Sequence, residues 1–412
     1  MRLIGRLSST VKNIWARTTG QNSAIRIISF LAYIITRVAF VTLDFLTSFF
    51  LPILNLLLIQ IMKDRVVSNS VLHISHQVHI PYYMTRILRR HGIQADYLAL
   101  GDNSSSWDQF DFLFPRTARI PLRIEEFFFF WRVVAKYEII HSHFGLTLST
   151  SGWELPLLKK MRRRIIVHYR GCEARNQARN MELHPAINIC QECDYIGMIC
   201  RVGAKRVALA KKHGDVFLVT TPDMKDFMPD AIHVPFFLPE VDYEKYKAFE
   251  RPLSGRPFKI VHATNHPGIE GARQIQAAVD SLKAKGYDID FVFLKGVEPE
   301  KILREIQTAD LTIGKMKMGY YANAQIESMF LGVPAVTYVR PEFMTPELKE
   351  SGFIFCDLSK LEQTLEYYIQ DPAGLAKKRA KARGSILQLH DEEILVRILL
   401  QIYYPLNKLS FQ

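Results

Sequence analysis

The stretch 318–337, MGYYANAQIESMFLGVPAVT, constrains the fold of this chain more than any other part of it. It reads as a loop of small residues and then a helix carrying Glu327. A Gly332-Val333-Pro334 stop follows and leads into an apolar strand. Loop, helix, tight stop and buried strand in that order are a unit of a parallel α/β sheet. A loop that opens a helix leaves backbone N–H groups unpaired and turns the positive end of the helix dipole outward, which suits a diphosphate. A carboxylate about one turn into that helix accepts hydrogen bonds from a ribose diol. The segment thus has the parts to hold a nucleotide by both ends.

The same alternation runs along most of the chain. Short apolar runs at 71–75, 95–100, 138–141, 165–168 and 216–219 predict strands, with a further short one at 234–235 and a helix at 82–91. The stretch 247–256, with Pro252, Gly255 and nearby Pro257, reads as a linker. A second set follows, with strands at 259–263, 291–294, 311–313 and 335–338 and helices at 271–285, 299–309 and 324–331. A long terminal helix is expected at 386–403. The predicted fold class is α/β, two Rossmann-like doubly wound domains at 67–250 and 251–385. A hydrophobic segment precedes them at 1–66 and a C-terminal helix follows at 386–412. Such a pair binds ligands in the cleft between the carboxyl ends of its strands.

On these motifs the chain resembles the GT-B glycosyltransferases, nearest to glycosyltransferase family 4. Their donor signature is an acidic residue, a Gly-aromatic-Gly loop, a Glu eight residues after the first acid, and a small-Met-x-x-Gly-x-Pro run. Glu327-Ser328-Met329 and Gly332-Val333-Pro334 match it, whereas the first acidic position falls on Gly319 and the loop glycines on Tyr320 and Ala322. Ile140-His141-Ser142-His143-Phe144-Gly145 is similar to the family's His-x-His-Phe-Gly strand end. Val167-His168-Tyr169-Arg170-Gly171-Cys172-Glu173 resembles its His-aromatic-His-Gly-Ser-Asp turn, with Arg170 at the second histidine. The likeness covers roughly 70–405.

The resemblance implies a donor site in the second domain, an acceptor site in the first, retention of anomeric configuration, and no metal or cofactor beyond a nucleotide-sugar substrate. It implies that Glu327 grips the ribose and that the amides of Tyr321, Ala322, Asn323 and Ala324 cradle the diphosphate. His143 and Arg170 would line the catalytic side. An arginine is no general base, but it pairs with phosphate or carboxylate. The cations that the family places after the first strand of the second domain fall on Pro267 and Glu270. Lys295, Lys315, Lys317 and His266 are the candidates to replace them. Glu173 and Arg175 could form a local ion pair.

The charge is unevenly placed. The chain carries a formal +12, and residues 1–65 hold eight basic and two acidic residues beside the nearly continuous apolar run 24–62. That pairing points to an anionic membrane surface rather than nucleic acid, whether as a span, a hairpin or an interfacial helix. A helix pair buried in the protein or in a homo-oligomer is the alternative. Phe127 to Trp131 reads as a helix packed into the first domain. Five cysteines make no secreted disulfide framework, and Cys190-x-x-Cys193 supplies two of the four thiolates or imidazoles that a structural zinc needs.

These expectations combine into a membrane-associated glycosyltransferase at the cytoplasmic face with a lipid-linked or glycan acceptor. The alternative is a non-catalytic relative acting as scaffold or partner subunit. A sugar-nucleotide epimerase of related fold is a third reading.

Overall fold

The computed structural model describes residues 50–101, 108–115, 122–249 and 255–405, together with the isolated helical positions 28, 31, 34, 35, 38 and 42. The chain divides into two compact units, one made of 1–66 and 116–136 and the other of 67–115 and 137–412.

Most of the apolar run 24–62 lies outside the described residues. Its described end, 50–62, is helical. It buries Asn55 and Ile59 on one face and leaves Ile53, Leu54, Leu56, Leu57 and Ile61 exposed. No helix among the described residues is long and apolar enough to cross a membrane. In the same unit, helix Leu122–Arg132 buries Phe127 and Phe130, and its Trp131 Nε1 donates to Asn55 Oδ1 at 2.9 Å. The aromatic run is therefore helical as expected. It groups with the N-terminal residues, not with the first sheet.

The larger unit holds two parallel sheets. The first contains β1 (Val67–Ser75), β2 (Gln94–Gly101), β3 (Phe112–Pro115), β4 (Tyr137–His143), β5 (Arg164–Tyr169), β6 (Val216–Val219) and β7 (Ile232–His233), in the order β3-β2-β1-β4-β5-β6-β7. Helix α1 (His79–Arg90) follows β1, and α2 (Met198–His213) precedes β6. The last six residues of β1 are all buried, the continuous pattern of a strand covered on both faces. The short strand expected at 234–235 sits two residues earlier, where Ile232 and His233 pair with β6.

The second sheet runs β12-β11-β10-β8-β9, from β8 (Phe258–Ala263), β9 (Ile289–Leu294), β10 (Leu311–Ile313), β11 (Ala335–Thr337) and β12 (Ile354–Phe355). Neighbouring residues alternate between its two cores. Ile260 and Val336 pack with Ile275, Val279 and Leu282 of α3 (Ala272–Ala284). Val261 and Ala335 pack instead with Ile306 of α4 (Pro299–Gln307) and Met329 of α5 (Asn323–Phe330). This is the period-2 rule of a strand buried on both sides. Both sheets reverse winding beside their first strand, between β1 and β4 and between β8 and β10, and α/β sheets bind their ligands beside such points.

The terminal helix expected at 386–403 is two helices, α6 (Pro372–Leu389) and α7 (Glu392–Tyr403). Asp391 breaks it by accepting from the Ile394 amide at 2.9 Å as an N-cap. The break lets α7 cross back to the first sheet, where Leu395, Leu399 and Tyr403 share a core with Val71, Ile139 and Ile166. Truncating Leu399, which is fully buried there, costs about 2–5 kcal/mol.

Candidate active site

Helix α5 starts at Asn323 because its opening is capped from within. Ala322 has no side-chain acceptor, but its N–H donates to Gln325 Oε1 at 3.1 Å, half of a capping box. At the other end Gly332 takes φ +90°, and the Val333 amide reaches back to the Ser328 carbonyl at 2.9 Å. The helix stops there, and Pro334 starts the return into β11. Glu327 sits just beyond the first turn, in a cleft lined by Phe236, Phe237, Asn323 and Ile326 together with His79 and Tyr83 of α1. Among the described residues it has no hydrogen-bond or ion-pair partner. Burial raises its carboxyl to about 7. Burial, then the Glu327 charge, pushes the Tyr83 phenol up to about 12.

Of the other loop residues expected at the donor site, Tyr321 and Ala322 are core residues. The Tyr321 ring is buried against Phe353, and its hydroxyl lies 3.1 Å from His390 Nε2. Since the Ala322 amide already has its acceptor, the cradle contracts to Asn323 and Ala324, whose N–H groups belong to the unpaired first turn of α5. Asn323 Nδ2 also reaches His79 Nε2 at 3.4 Å.

The replacement cations are not at liberty. Lys315 is bound to Glu270, and the buried Lys317 to Glu192 and to the Gly268 carbonyl at 3.1 Å. His266 meets the Tyr195 hydroxyl at 2.9 Å through Nδ1. Only Lys295, at the end of β9, is exposed to solvent. Gly319 also has a structural cause. It takes φ +85°, and a Cβ there would lie 2.7 Å from Arg340 Cγ. Arg340 in turn donates to Asp226 Oδ2 at 2.8 Å, and His184 Nε2 lies 2.9 Å from the same oxygen. The family's first acidic residue has no room beside that arginine.

On the first sheet, the carboxyl ends of β1, β4 and β5 bring together four histidines, His73, His141, His143 and His168, all buried. Arg170 closes the stack, its Nε and Nη2 lying 3.1 and 2.9 Å from His143 Nδ1. Arginine can only donate, so His143 carries its proton on Nε2 and gives it to His73 Nδ1, 2.9 Å away. A parallel chain runs from the Tyr403 hydroxyl to His141 Nδ1 at 2.6 Å, on to His168 at 3.3 Å and to Thr220 Oγ1 at 3.0 Å. Burial, then the neighbouring Arg170 charge, lowers His73 to about 3. Burial also drives the other three far down, so the stack is neutral at physiological pH. Desolvation draws even the Arg170 guanidinium down to about 9.

The ligand atoms of His73, His141 and His143 lie within 4.8 Å of one another, close enough to consider a metal. Arg170 decides against it, because His143 spends one nitrogen accepting from arginine and the other donating. Two imidazoles remain, fewer than a zinc site uses. The stack instead fixes the orientation of Arg170. Its Nη2 also touches Met84 Sδ of α1 at 3.1 Å, and its charge is felt by His79. Arg170, His79, Asn323 and Glu327 therefore follow one another along the cleft. Glu173 does not pair with Arg175. It accepts from the amides of Arg170 and Gly171, while Arg175 is bound to Asp223.

Sequence reasoning singled out His143, Arg170 and Glu327. It missed His73, Tyr403, Asp226, Arg340 and the carboxylates of Glu192 and Asp194. No local pattern marks these, since each acts on a partner more than 60 residues away.

No protein-family model and no curated protein sequence matches the chain. Solved structures do. Sucrose-phosphate synthase from Thermosynechococcus elongatus superposes with a TM-score of 0.57 at 12% identity, over 81% of this chain and 98% of that one. Anabaena HepE, solved in complex with UDP and glucose, gives 0.53 at 11%, over 81% and 98%. On these superpositions the chain has the GT-B fold of the glycosyltransferases.

Proposed function

We propose that this chain is a glycosyltransferase that moves a sugar from a nucleotide-diphosphate donor to a lipid-linked or surface-polysaccharide acceptor at the cytoplasmic face of a membrane. The observation that carries the reading is Glu327, a carboxylate just past the first turn of α5 with no partner among the described residues, walled largely by apolar side chains. Such a group is costly to keep unless a ligand supplies its hydrogen bonds, and a ribose diol supplies two. The first-turn amides of Asn323 and Ala324 would meet the diphosphate, and Arg170, held by the histidine stack, would meet developing negative charge from the opposite wall. HepE was solved with UDP and glucose, which supports a uridine nucleotide as the first donor to try. The exposed Ile53, Leu54, Leu56, Leu57 and Ile61, beside a basic N-terminal sequence, support attachment to an anionic membrane surface.

A second reading, a non-catalytic scaffold or partner subunit of a glycan-assembly complex, draws on Lys315 and Lys317, whose charges are already spent on Glu270 and Glu192. Calorimetric titration of the detergent-solubilised chain with UDP, GDP, ADP and their sugar conjugates, beside Glu327→Ala, separates the two. Saturable binding lost in the variant supports the transferase. Folded protein that binds none of them removes it and leaves the scaffold.

A further inference from the structure

The loop between β5 and α2 does something that neither reading requires. It sends two carboxylates across the cleft onto the start of the second domain. Asp194 Oδ1 and Oδ2 accept from the amides of Gly268 and Ile269 at 3.2 and 3.0 Å. Glu192 takes the buried Lys317 as an ion pair, holds Arg273 as well, and accepts from Gln274 Nε2 at 3.1 Å. Tyr195 completes the contact on His266. Gly268 permits the approach, since a Cβ there would run into the Glu192 carbonyl oxygen.

Two backbone amides, a buried lysine and an arginine converging on carboxylate oxygens are the donor set that would otherwise receive a phosphate. Here the occupants are the chain's own side chains. The hydrogen bond from Lys317 holds Glu192 below the usual carboxylate range, so it stays ionised and competes as an anion.

We propose that Glu192 and Asp194 form an autoinhibitory clamp, an internal anion that holds the loop 190–196 over the phosphate end of the cleft and must withdraw before a nucleoside diphosphate seats fully. The inference rests on the donor-site reading above and adds a gate to it. A clamped chain would hold the nucleotide by its ribose alone, and so more weakly than an open chain that also seats the diphosphate. Releasing it therefore tightens binding without touching Glu327.

The test uses the full chain and UDP, ADP and GDP as probes. Glu192→Gln with Asp194→Asn removes both charges at constant shape. Gly268→Ala pushes the loop away and keeps every charge. Each is expected to tighten binding of the preferred nucleotide by about tenfold or more. In the unaltered chain, saturating nucleotide is expected to speed amide hydrogen exchange across 190–196, a readout that needs no variant. Equal or weaker binding in both variants, with exchange unchanged and Glu327→Ala still abolishing it, overturns the clamp and leaves the donor site standing. No binding by any folded form removes the donor site and the clamp together.

Discussion

The two ends of the cleft are built on opposite principles. At the proposed ribose end Glu327 stands among Phe236, Phe237 and Ile326 with no partner among the described residues, and the protein tolerates its desolvation. At the proposed phosphate end the cations other than Lys295 are matched, with Lys315 on Glu270 and Lys317 on Glu192, and the Gly268 and Ile269 amides are taken by Asp194. An unpaired buried charge is a cost that a ligand relieves, whereas a paired one is a bond that a ligand must replace. Affinity should therefore come from Glu327, and control of access from the acidic loop.

The largest effect should follow from removing the unpaired end. Glu327→Ala is expected to weaken nucleotide binding on the order of 100-fold, the loss of two charge-assisted hydrogen bonds. The same change should raise the stability of the unliganded protein by about 1 kcal/mol, because a poorly solvated carboxylate is gone. Calorimetry and thermal unfolding on one preparation read both signs. Loss of binding together with loss of stability would make Glu327 a structural residue and dissolve the comparison.

Next comes the position at which the family's acid is missing. Gly319→Asp restores the charge, but it asks a side chain to adopt φ +85° and to share space with Arg340, which is itself fixed on Asp226. A destabilisation of about 2 kcal/mol and no gain in nucleotide affinity are expected by denaturant unfolding and titration. A stable Gly319→Asp protein that bound donor more tightly would show that Arg340 yields, and that the paired side of the cleft is softer than its contacts indicate.

The ribose end should also respond to pH. Glu327 titrates near 7 in the unliganded protein, and ribose hydroxyls donating to the carboxylate favour its ionised form. Binding therefore releases a proton, and affinity should rise by about tenfold between roughly pH 6 and pH 8 before levelling off. Stability moves the other way. The unfolded chain gives up this proton near 4.5 and the folded chain holds it to about 7, so the contribution of Glu327 is full below 4.5 and is lost as pH rises to about 7. Buffers of different ionisation enthalpy report the released proton directly. A pH-independent affinity would mean that the carboxylate does not face the ligand.

Much of this was legible in the sequence. The strands buried on both faces announce themselves as short apolar runs, and Gly332-Val333-Pro334 marks the end of α5 by backbone chemistry alone. Glu327 could be singled out because its place depends on a position within one helix. The rest depends on partners that only folding supplies. Lys315 and Lys317 look like solvated cations until Glu270 and Glu192 arrive, the latter from 125 residues upstream. The continuous helix expected at 386–403 failed for a local reason, since Asp391 prefers to cap a new helix over extending the old one. Strands β3 and β12 passed unread, being too short to show a period.

Lys295 offers the smallest and most specific test of the contrast. It stands at the end of β9, exposed, and is the one candidate cation at the phosphate end that no carboxylate holds among the described residues. As a solvated lysine its removal should change stability by less than about 0.5 kcal/mol. If the clamp covers the phosphate end, Lys295→Ala should also leave nucleotide affinity within about threefold of the original, because the lysine lacks a seated diphosphate to meet. With Glu192→Gln and Asp194→Asn in place, the same change should cost more, since the opened site lets a screened surface charge become a short-range contact. A double-mutant cycle on titrated affinity measures that difference. Coupling close to zero would mean that Lys295 serves neither state and that the phosphate end relies wholly on Lys315, Lys317 and the backbone amides.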